Sequence, residues 1–280
     1  MDLMVSRNRT TQLPAEIGVP PVHSGTSTRA LSVLEFVALL APLVVSALER
    51  GSEWLWVLLV AIISVLLCQR VFAEVRRRRF TPDGIVTAIA CAIVLPTTIP
   101  LWQVALSLGF GIVVGQEIFG GRGRNFLNPG TVALAFFLFS FPSWTLEMLS
   151  PAIGLSVIPG ALLLLTTGLI SPRVIFGAVA GLLLTAALTT KAPLTADMVS
   201  ASFIFSLVFF AADPVAAAST NTGRWIYGVF VGTSAALLAG GCAPRVETIV
   251  SAGLLAGVLA PLLDSGILEF NAYQRGRRNE

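Results

Sequence analysis

Residues 95–129 read LPTTIPLWQVALSLGFGIVVGQEIFGGRGRNFLNP. Apolar side chains fill residues 101–119 almost without interruption, and about 20 such residues are what a helix needs to cross the hydrocarbon core of a bilayer. A proline-rich segment precedes this run, and a polar, glycine-rich segment follows it. An apolar run between two such breakers predicts a membrane-spanning helix that ends in a turn on each side.

The rest of the chain has the composition of a membrane protein. Hydrophobic residues make up 55% of the 280 residues, charged residues only 12%, and the mean hydropathy is +0.84. A soluble domain carries roughly 25% charged residues, so a soluble or disordered chain is excluded. We therefore predict an all-α, polytopic membrane protein with ten transmembrane helices. The predicted spans are residues 31–48, 54–72, 83–100, 101–119, 130–147, 152–170, 173–190, 198–212, 225–241 and 247–264.

Several kinds of chemistry are excluded by residue type. His23 is the only histidine, so this chain alone cannot form a bis-histidine haem site, a histidine zinc site or a Ser-His-Asp triad. Three cysteines lie far apart, whereas iron–sulfur clusters are usually held by four thiolates. No phosphate-binding GxxxxGK[ST] motif is present. We expect no catalytic residue, no metal site and no nucleic-acid partner.

The basic residues predict how the chain is oriented. With ten spans, all but three of the 18 lysines and arginines fall on one side of the membrane, the exceptions being Arg50, Lys191 and Arg245. Cytoplasmic loops carry an excess of positive charge. We therefore expect a bacterial inner (plasma) membrane protein with both termini in the cytoplasm. Residues 1–30 are predicted to be a flexible cytoplasmic tail, and residues 269–280 a basic cytoplasmic tail.

Short motifs recur in the two halves of the chain. FGIVVG at 110–115 resembles YGVFVG at 227–232, and Leu-Pro at 95–96 corresponds to Asp-Pro at 213–214. Five spans per half would make the halves inverted in topology, and paired helix breaks mark the sites of transporter-like folds. The predicted organisation is two five-helix inverted repeats with broken helices, at residues 31–150 and 151–268. Chance similarity between glycine-rich spans is the alternative.

Four carboxylates fall within or at the ends of predicted spans: Glu35, Glu117, Asp213 and Asp264. A charge at the bilayer centre costs about 2.5–3.5 kcal/mol on insertion scales, so each is a candidate for cation binding or proton transfer. The alternative is that each caps a helix or pairs with Arg122, Arg124 or Arg224.

Two polar clusters are predicted on one side of the membrane. The first is residues 120–129, and the second is residues 212–214 together with 219–225. Glycine backbone, arginine charge and a helix N-terminus would suit an anion or an electron-rich carbonyl. Hydroxyl, amide, guanidinium and indole groups would suit a planar ring with polar edges, such as a flavin. Ordinary loop capping would also explain the pattern.

These motifs resemble the NqrB/RnfD family, which comprises the NqrB component of the Na+-translocating NADH:quinone reductase and the related RnfD component of the Rnf electron-transport complex. The resemblance covers nearly all of the chain after residue 55. Its motifs are residues 95–103, 117–121, 123–129, 213–215, 220–228 and 260–264. The resemblance implies a ten-helix subunit that holds flavin and passes electrons through the membrane while sodium moves and quinone is reduced. Membrane lipids, other redox membrane subunits and quinone are the implied partners.

The same resemblance implies the site residues. Those expected near the cofactor are Gly123, Arg124, Asn125, Asn128, Thr220, Asn221, Thr222, Arg224 and Trp225. Those expected to couple cation movement are Glu117, Asp213 and Asp264. The family's Ser-Gly-Ala-Thr stretch for covalent FMN is missing, and Thr145 lies in a different context. We therefore expect riboflavin or FMN to be bound non-covalently.

The resulting hypothesis is a subunit of a membrane oxidoreductase or translocase rather than an enzyme alone, with possible coupling to Na+ or H+. Two alternatives come from the missing attachment motif. The chain could be a redox-inactive transporter of ions or small molecules, or a membrane accessory protein of a biosynthetic, enediyne-type pathway. A subunit that only anchors redox partners is a further alternative.

Overall fold

The computed structural model describes residues 28–189 and 199–278, and over these ranges the fold is all α-helical. Two helices, α3 and α7, continue into π-helical turns at Val113–Glu117 and Leu207–Ala211. The helices are α1 (Thr28–Val75), α2 (Ile85–Val94), α3 (Leu101–Ile112), α4 (Pro129–Ser140), α5 (Pro151–Thr166), α6 (Pro172–Thr189), α7 (Ala201–Ser206), α8 (Asn221–Leu238) and α9 (Val246–Arg278).

Helix α1 is broken in its middle at Gly51. This residue has φ 70° and ψ −160°, a conformation that glycine adopts without the steric cost of a Cβ. The break separates the first two predicted spans, and each of the other eight overlaps one of the helices α2–α9. The all-helical class is thus confirmed for the described residues. Ten spans in an inverted repeat remain a prediction.

Within residues 28–189 and 199–278, three helical stretches are long and apolar enough to cross a membrane: Ala30–Val75, Pro172–Thr189 and Val246–Asn271. The predicted tails can be compared with the structure only in part, because residues 1–27 of the N-terminal tail lie outside the described residues. Residues 269–278, which belong to the predicted basic C-terminal tail, continue α9 as helix. This stretch contains no proline, and its glutamate, glutamine and arginines are good helix formers.

Helix α2 and the helix formed by α7 with its π-helical turn are both much too short to cross a bilayer. Helix α2 has 10 residues and is about 15 Å long, half the thickness of the roughly 30 Å hydrocarbon core. It ends at Val94, immediately before the Leu95-Pro96 pair. The π-helical turn after α7 similarly ends at Ala211, immediately before the segment 212–214. Both helices therefore stop where the sequence predicts a break.

The end of α2 is closed by two side chains of α1, one on each side of its break at Gly51. The last carbonyl groups of a helix have no partner within it, and in hydrocarbon no water can replace one. The indole nitrogen of the buried Trp54 donates to the Ala92 carbonyl at 2.8 Å. The guanidinium of Arg50 donates to the Leu95 carbonyl at 3.3 Å. Arg50 is one of the three basic residues predicted on the side of the membrane with few basic residues, and this hydrogen bond gives it a structural role.

Helices α6 and α8 pack with their backbones in direct contact. Gly177 and Gly181 on α6 face Gly228 and Gly232 on α8, and a Cβ at any of the four would lie against the backbone of the opposite helix. Close approach through small residues is a common way for membrane helices to associate. The pair therefore depends on the absence of side chains at these four positions.

Replacing Gly232 by alanine is expected to lower the melting temperature of the protein in detergent. The new methyl group would collide with the Ala178 carbonyl oxygen, and overpacking of this kind costs about 1–3 kcal/mol. Gly266→Ala is the matched control, since nothing lies within 4 Å of a Cβ added there. A Gly232→Ala protein that melts no lower than the wild type would contradict the close packing of α6 and α8.

Candidate functional site

A small internal cavity lies where the π-helical turn after α7 ends. We call it the central cavity. Residues from both sides of position 150 line it, including parts of α1, α2, both π-helical turns and the segment 213–215. Its polar lining residues are Glu35, Thr87, Gln116, Arg122, Asn125, Asn128 and Asp213. π-Helical turns occur frequently at functional sites, which makes this cavity the leading candidate.

The size of the central cavity limits what it can hold. Its volume is about 40 Å³, and one water molecule needs about 10–15 Å³ by this measure. Pockets for larger organic ligands measure about 300–1,000 Å³. The cavity therefore has room for a cation with a few water molecules, and it has no room for the ring system of a flavin.

Asn128 joins the two parts of the chain at this cavity. Its side-chain oxygen accepts hydrogen bonds from the backbone of Gly130 at 2.8 Å and Thr131 at 3.1 Å, which caps the N-terminus of α4. Its amide nitrogen donates to the Asp213 carboxylate at 2.7 Å and to the Phe209 carbonyl at 3.3 Å. Because an amide offers two donors and two lone pairs, all of its hydrogen-bonding capacity is used.

The end of the π-helical turn after α7 is closed by further side chains. The hydroxyl of Thr131 donates to the Phe210 carbonyl at 3.4 Å, and the hydroxyl of Tyr227 donates to the Ala211 carbonyl at 2.9 Å. The chain then turns at Asp213, whose carboxylate accepts from the backbone nitrogen of Val215 at 2.9 Å. The carboxylate is half-buried and faces the cavity.

An ion pair between Glu35 and Arg122 lies on another wall of the central cavity. Their side chains are only 13% and 11% exposed, respectively. Arg122 also donates to the backbone carbonyl of Asp83 at 3.3 Å. Pairing with arginine was the alternative interpretation of Glu35. Removing one partner of such a pair typically costs 3–5 kcal/mol, because the other charge stays buried alone.

The first predicted cofactor cluster is divided by the structure. Asn125 and Asn128 line the central cavity, whereas Gly123 and Arg124 are exposed and do not line it. The buried Asn125 side chain accepts from the Gly123 backbone at 3.1 Å and donates to the Leu127 carbonyl at 2.8 Å. Asn125 therefore fixes the shape of this loop from within.

The second predicted cluster lies at the start of α8, and of its charged and polar residues only Asp213 lines the central cavity. Asp264 accepts four hydrogen bonds there, from the backbone and hydroxyl groups of Ser219 and Thr220, at 2.7–3.1 Å. The Thr220 hydroxyl in turn accepts from the backbone of Gly223 at 3.1 Å, which caps α8. Asp264 thus ties the loop before α8 to α9.

The remaining residues of the second cluster are at or near the surface. The exposed Asn221 accepts a hydrogen bond from Arg173 at 2.7 Å. Arg224 is partly buried and donates to the Ala218 carbonyl at 3.2 Å. Thr222 and Trp225 are exposed. Asn221 and Arg224 thus help to hold the N-terminal end of α8.

Glu117 occupies a third location. It is the last residue of the π-helical turn after α3, is partly buried, and accepts a hydrogen bond from the Gln116 amide at 3.2 Å. It lines a separate pocket near the end of α1 rather than the central cavity. The three residues predicted to couple cation movement, Glu117, Asp213 and Asp264, therefore stand in three different environments.

The sequence motifs of this chain can now be compared with those of known protein families. The family described as NQR2, RnfD, RnfE matches the chain over residues 17–152 and 147–271. The chain belongs to this family. The family resemblance inferred from the motifs is thus confirmed, and with it the assignment as a membrane protein.

Several relatives are named as the NqrB component of the Na(+)-translocating NADH-quinone reductase. Those from Stutzerimonas stutzeri and Ectopseudomonas mendocina are 31% and 32% identical to this chain over 74% of its length. The relative from Yersinia pestis is 33% identical over 75% of the chain. In each case the match spans 65% of the relative's own length.

Replacing Asn128 by alanine is expected to lower the melting temperature in detergent clearly, and Asn221→Ala only slightly. The first change leaves the Phe209 carbonyl and the N-terminus of α4 without partners, at about 1–3 kcal/mol for each buried group. The second removes an exposed contact to Arg173, of the kind worth about 0–1 kcal/mol. Equal effects of the two substitutions would contradict the different roles of these asparagines.

Proposed function

We propose that this chain is the membrane subunit of an electron-transfer complex in a bacterial inner membrane, with both termini in the cytoplasm. We further propose that its central cavity takes up the Na+ or H+ that moves when electrons pass. Family membership and the names of the relatives support the first part. Other redox membrane subunits, membrane lipids and quinone are the proposed partners. The inverted repeat of residues 31–150 and 151–268 is the proposed scaffold.

The contact between Asp213 and Asn128 carries the proposal of cation uptake. At this point the Asp213 carboxylate and the Asn128 side chain line a space of about 40 Å³. Oxygen atoms are the ligands that hard cations prefer. The carbonyl end of a helix carries partial negative charge, and half-helix ends coordinate Na+ or H+ in transporters. Asp213 lies at such an end.

The charge balance of the cavity favours a cation. Arg122 neutralises Glu35, whereas no basic side chain of the described residues lies within ion-pair distance of Asp213. A carboxylate held in a low-dielectric region needs compensation of its charge. A bound Na+ or proton would supply it without any rearrangement of the Glu35–Arg122 pair.

Asp213→Asn is expected to abolish the stabilisation of the protein by Na+. A cation that binds only the folded state raises its stability by about 3 kcal/mol at one hundred times the dissociation constant. Melting temperatures in detergent would be compared in sodium and choline chloride. The asparagine keeps an oxygen that can accept from Val215, so the turn is retained, but its amide nitrogen cannot accept from Asn128, so each variant is compared with itself in the two salts.

Glu74→Gln serves as the matched control, because Glu74 is an exposed carboxylate paired only with Arg70. It should leave the difference between sodium and choline unchanged. An Asp213→Asn protein that responds to sodium as the wild type does would exclude Asp213 as the ligand.

The proposal of a non-covalent flavin comes from the family resemblance. The central cavity is too small for the flavin ring, and most of the other predicted cofactor residues lie at the N-terminal end of α8. We therefore propose a flavin site outside the central cavity and assign no electron-transfer step to a residue of this chain.

The purified protein is expected to show flavin absorbance, and denaturation should release all of that flavin through a filter. Thr145→Ala should leave the flavin content unchanged, since this threonine lacks the attachment motif. Flavin that stays with the denatured wild-type protein would overturn non-covalent binding. A protein without flavin, even after addition of riboflavin or FMN, would remove the cofactor from the proposal.

A second function is favoured by the size of the cavity. A space suited to a small ion would serve a transporter that has no redox role. Uptake of Na+ into proteoliposomes without any electron donor would support this function. Uptake that requires electron flow through the assembled complex would support the first.

A further inference from the structure

A second, larger cavity lies between the end of α1 and the loop that follows α3. We call it the basic pocket. Its volume is about 140 Å³, room for roughly ten water molecules. Four arginines line it, namely Arg76, Arg78, Arg79 and Arg122. Its loop side includes residues of the motif 117–121, whereas the three arginines at the end of α1 belong to no family motif and to no part of the proposed cation site.

The arginines converge because α1 ends in an unusual backbone conformation. Arg77 has φ 51°, and it is the only non-glycine residue with positive φ among those the structure describes. A side chain in this conformation costs about 1–2 kcal/mol, and glycine is the usual residue at such a helix end. The reversal at Arg77 places its neighbours against the opposite loop. Strain of this kind concentrates at functional sites.

Two of the arginines are held in place by the loop that faces them. Arg76 donates to the Ile118 carbonyl at 3.2 Å, and Arg78 donates to the Gly120 carbonyl. Gly120 has φ 108°, and a Cβ built there would lie 3.7 Å from the Arg78 guanidinium. The two hydrogen bonds, rather than the lack of a side chain at Gly120, hold the guanidinium groups against the loop backbone. Such pre-positioned groups lose less entropy when they bind a ligand.

The charges that line the basic pocket are not balanced. Its two carboxylates are Glu117, which accepts from the Gln116 amide, and Asp83, which is buried and accepts from the Ser32 hydroxyl at 3.1 Å. In the described part of the chain, no carboxylate lies within ion-pair distance of Arg76, Arg78 or Arg79. The pocket therefore carries excess positive charge. Guanidinium groups bind phosphate through paired hydrogen bonds.

We propose that the basic pocket binds the phosphate group of an anionic ligand. Two sources share this chemistry: the headgroup of an acidic phospholipid and a soluble phosphate. Basic pockets at the ends of membrane helices bind acidic lipid headgroups, and this pocket lies at the end of an apolar helix. The bound phosphate would bridge the end of α1 and the loop after α3.

Arg79→Gln and Arg77→Gln form a matched pair for testing this site. Both residues are exposed, both adjoin Arg78, and both changes remove one positive charge, but only Arg79 lines the pocket. The full-length protein would be purified in detergent and titrated separately with phosphatidylglycerol, phosphatidylcholine and inorganic phosphate. Retained ligand would be counted by native mass spectrometry. Arg78→Gln provides a second variant at the pocket.

Arg79→Gln is expected to weaken phosphatidylglycerol binding about fivefold, since one basic residue near an anionic surface contributes about 1 kcal/mol. Arg77→Gln should leave it unchanged, and phosphatidylcholine should not be retained. Inorganic phosphate that binds and displaces phosphatidylglycerol would identify a soluble phosphate as an alternative occupant of the same site. Any of three results would overturn the proposal. These are equal losses of phosphatidylglycerol binding in Arg79→Gln and Arg77→Gln, equal binding of phosphatidylglycerol and phosphatidylcholine, or retention of neither phosphatidylglycerol nor inorganic phosphate.

Discussion

A helix that ends within hydrocarbon exposes carbonyl groups that no water can reach, and this constraint organises the structure. Helix α2 and the π-helical turn after α7 end at Val94 and Ala211, which are buried inside the protein, where water is likewise excluded. Trp54 and Arg50 supply donors to the first end. Asn128, Thr131 and Tyr227 supply them to the second. Because the second helix stops short, space remains beyond it, and the central cavity occupies that space.

The residues that satisfy this constraint also form the candidate site. Asn128 caps α4, donates to the end of the π-helical turn and contacts the carboxylate of Asp213. Stability and cation binding therefore depend on the same side chain. A loss of activity in an Asn128 variant would not show whether the fold or the cation site had been damaged. Asp213 is the better probe, since a change to asparagine alters charge more than shape. The Glu35–Arg122 pair fixes another wall and leaves Asp213 as the uncompensated charge.

The sequence was sufficient to predict the helical class and both helix breaks, because long apolar runs and proline act locally. It did not predict the π-helical turns, since Val113–Glu117 and Leu207–Ala211 contain no proline to mark a change of helix type. The Asn-Pro pair at 128–129 is a readable helix start, but its bond to Asp213 depends on packing between distant segments. The two polar clusters were expected to share one site. The structure brings them together only through the contact between Asn128 and Asp213, while residues 219–225 lie at the start of α8, which Asp264 ties to α9.

Gln116 and Arg122 line both the central cavity and the basic pocket, so the two spaces share a wall. An anion on one side of Arg122 and a cation on the other would each alter the field that the other experiences. Thermodynamic linkage requires such an effect to be reciprocal. If bound phosphate raises the affinity for a cation by some factor, the bound cation raises the affinity for phosphate by the same factor. A phosphate bound in the basic pocket would then change the affinity of the central cavity for a cation through the wall that the two spaces share.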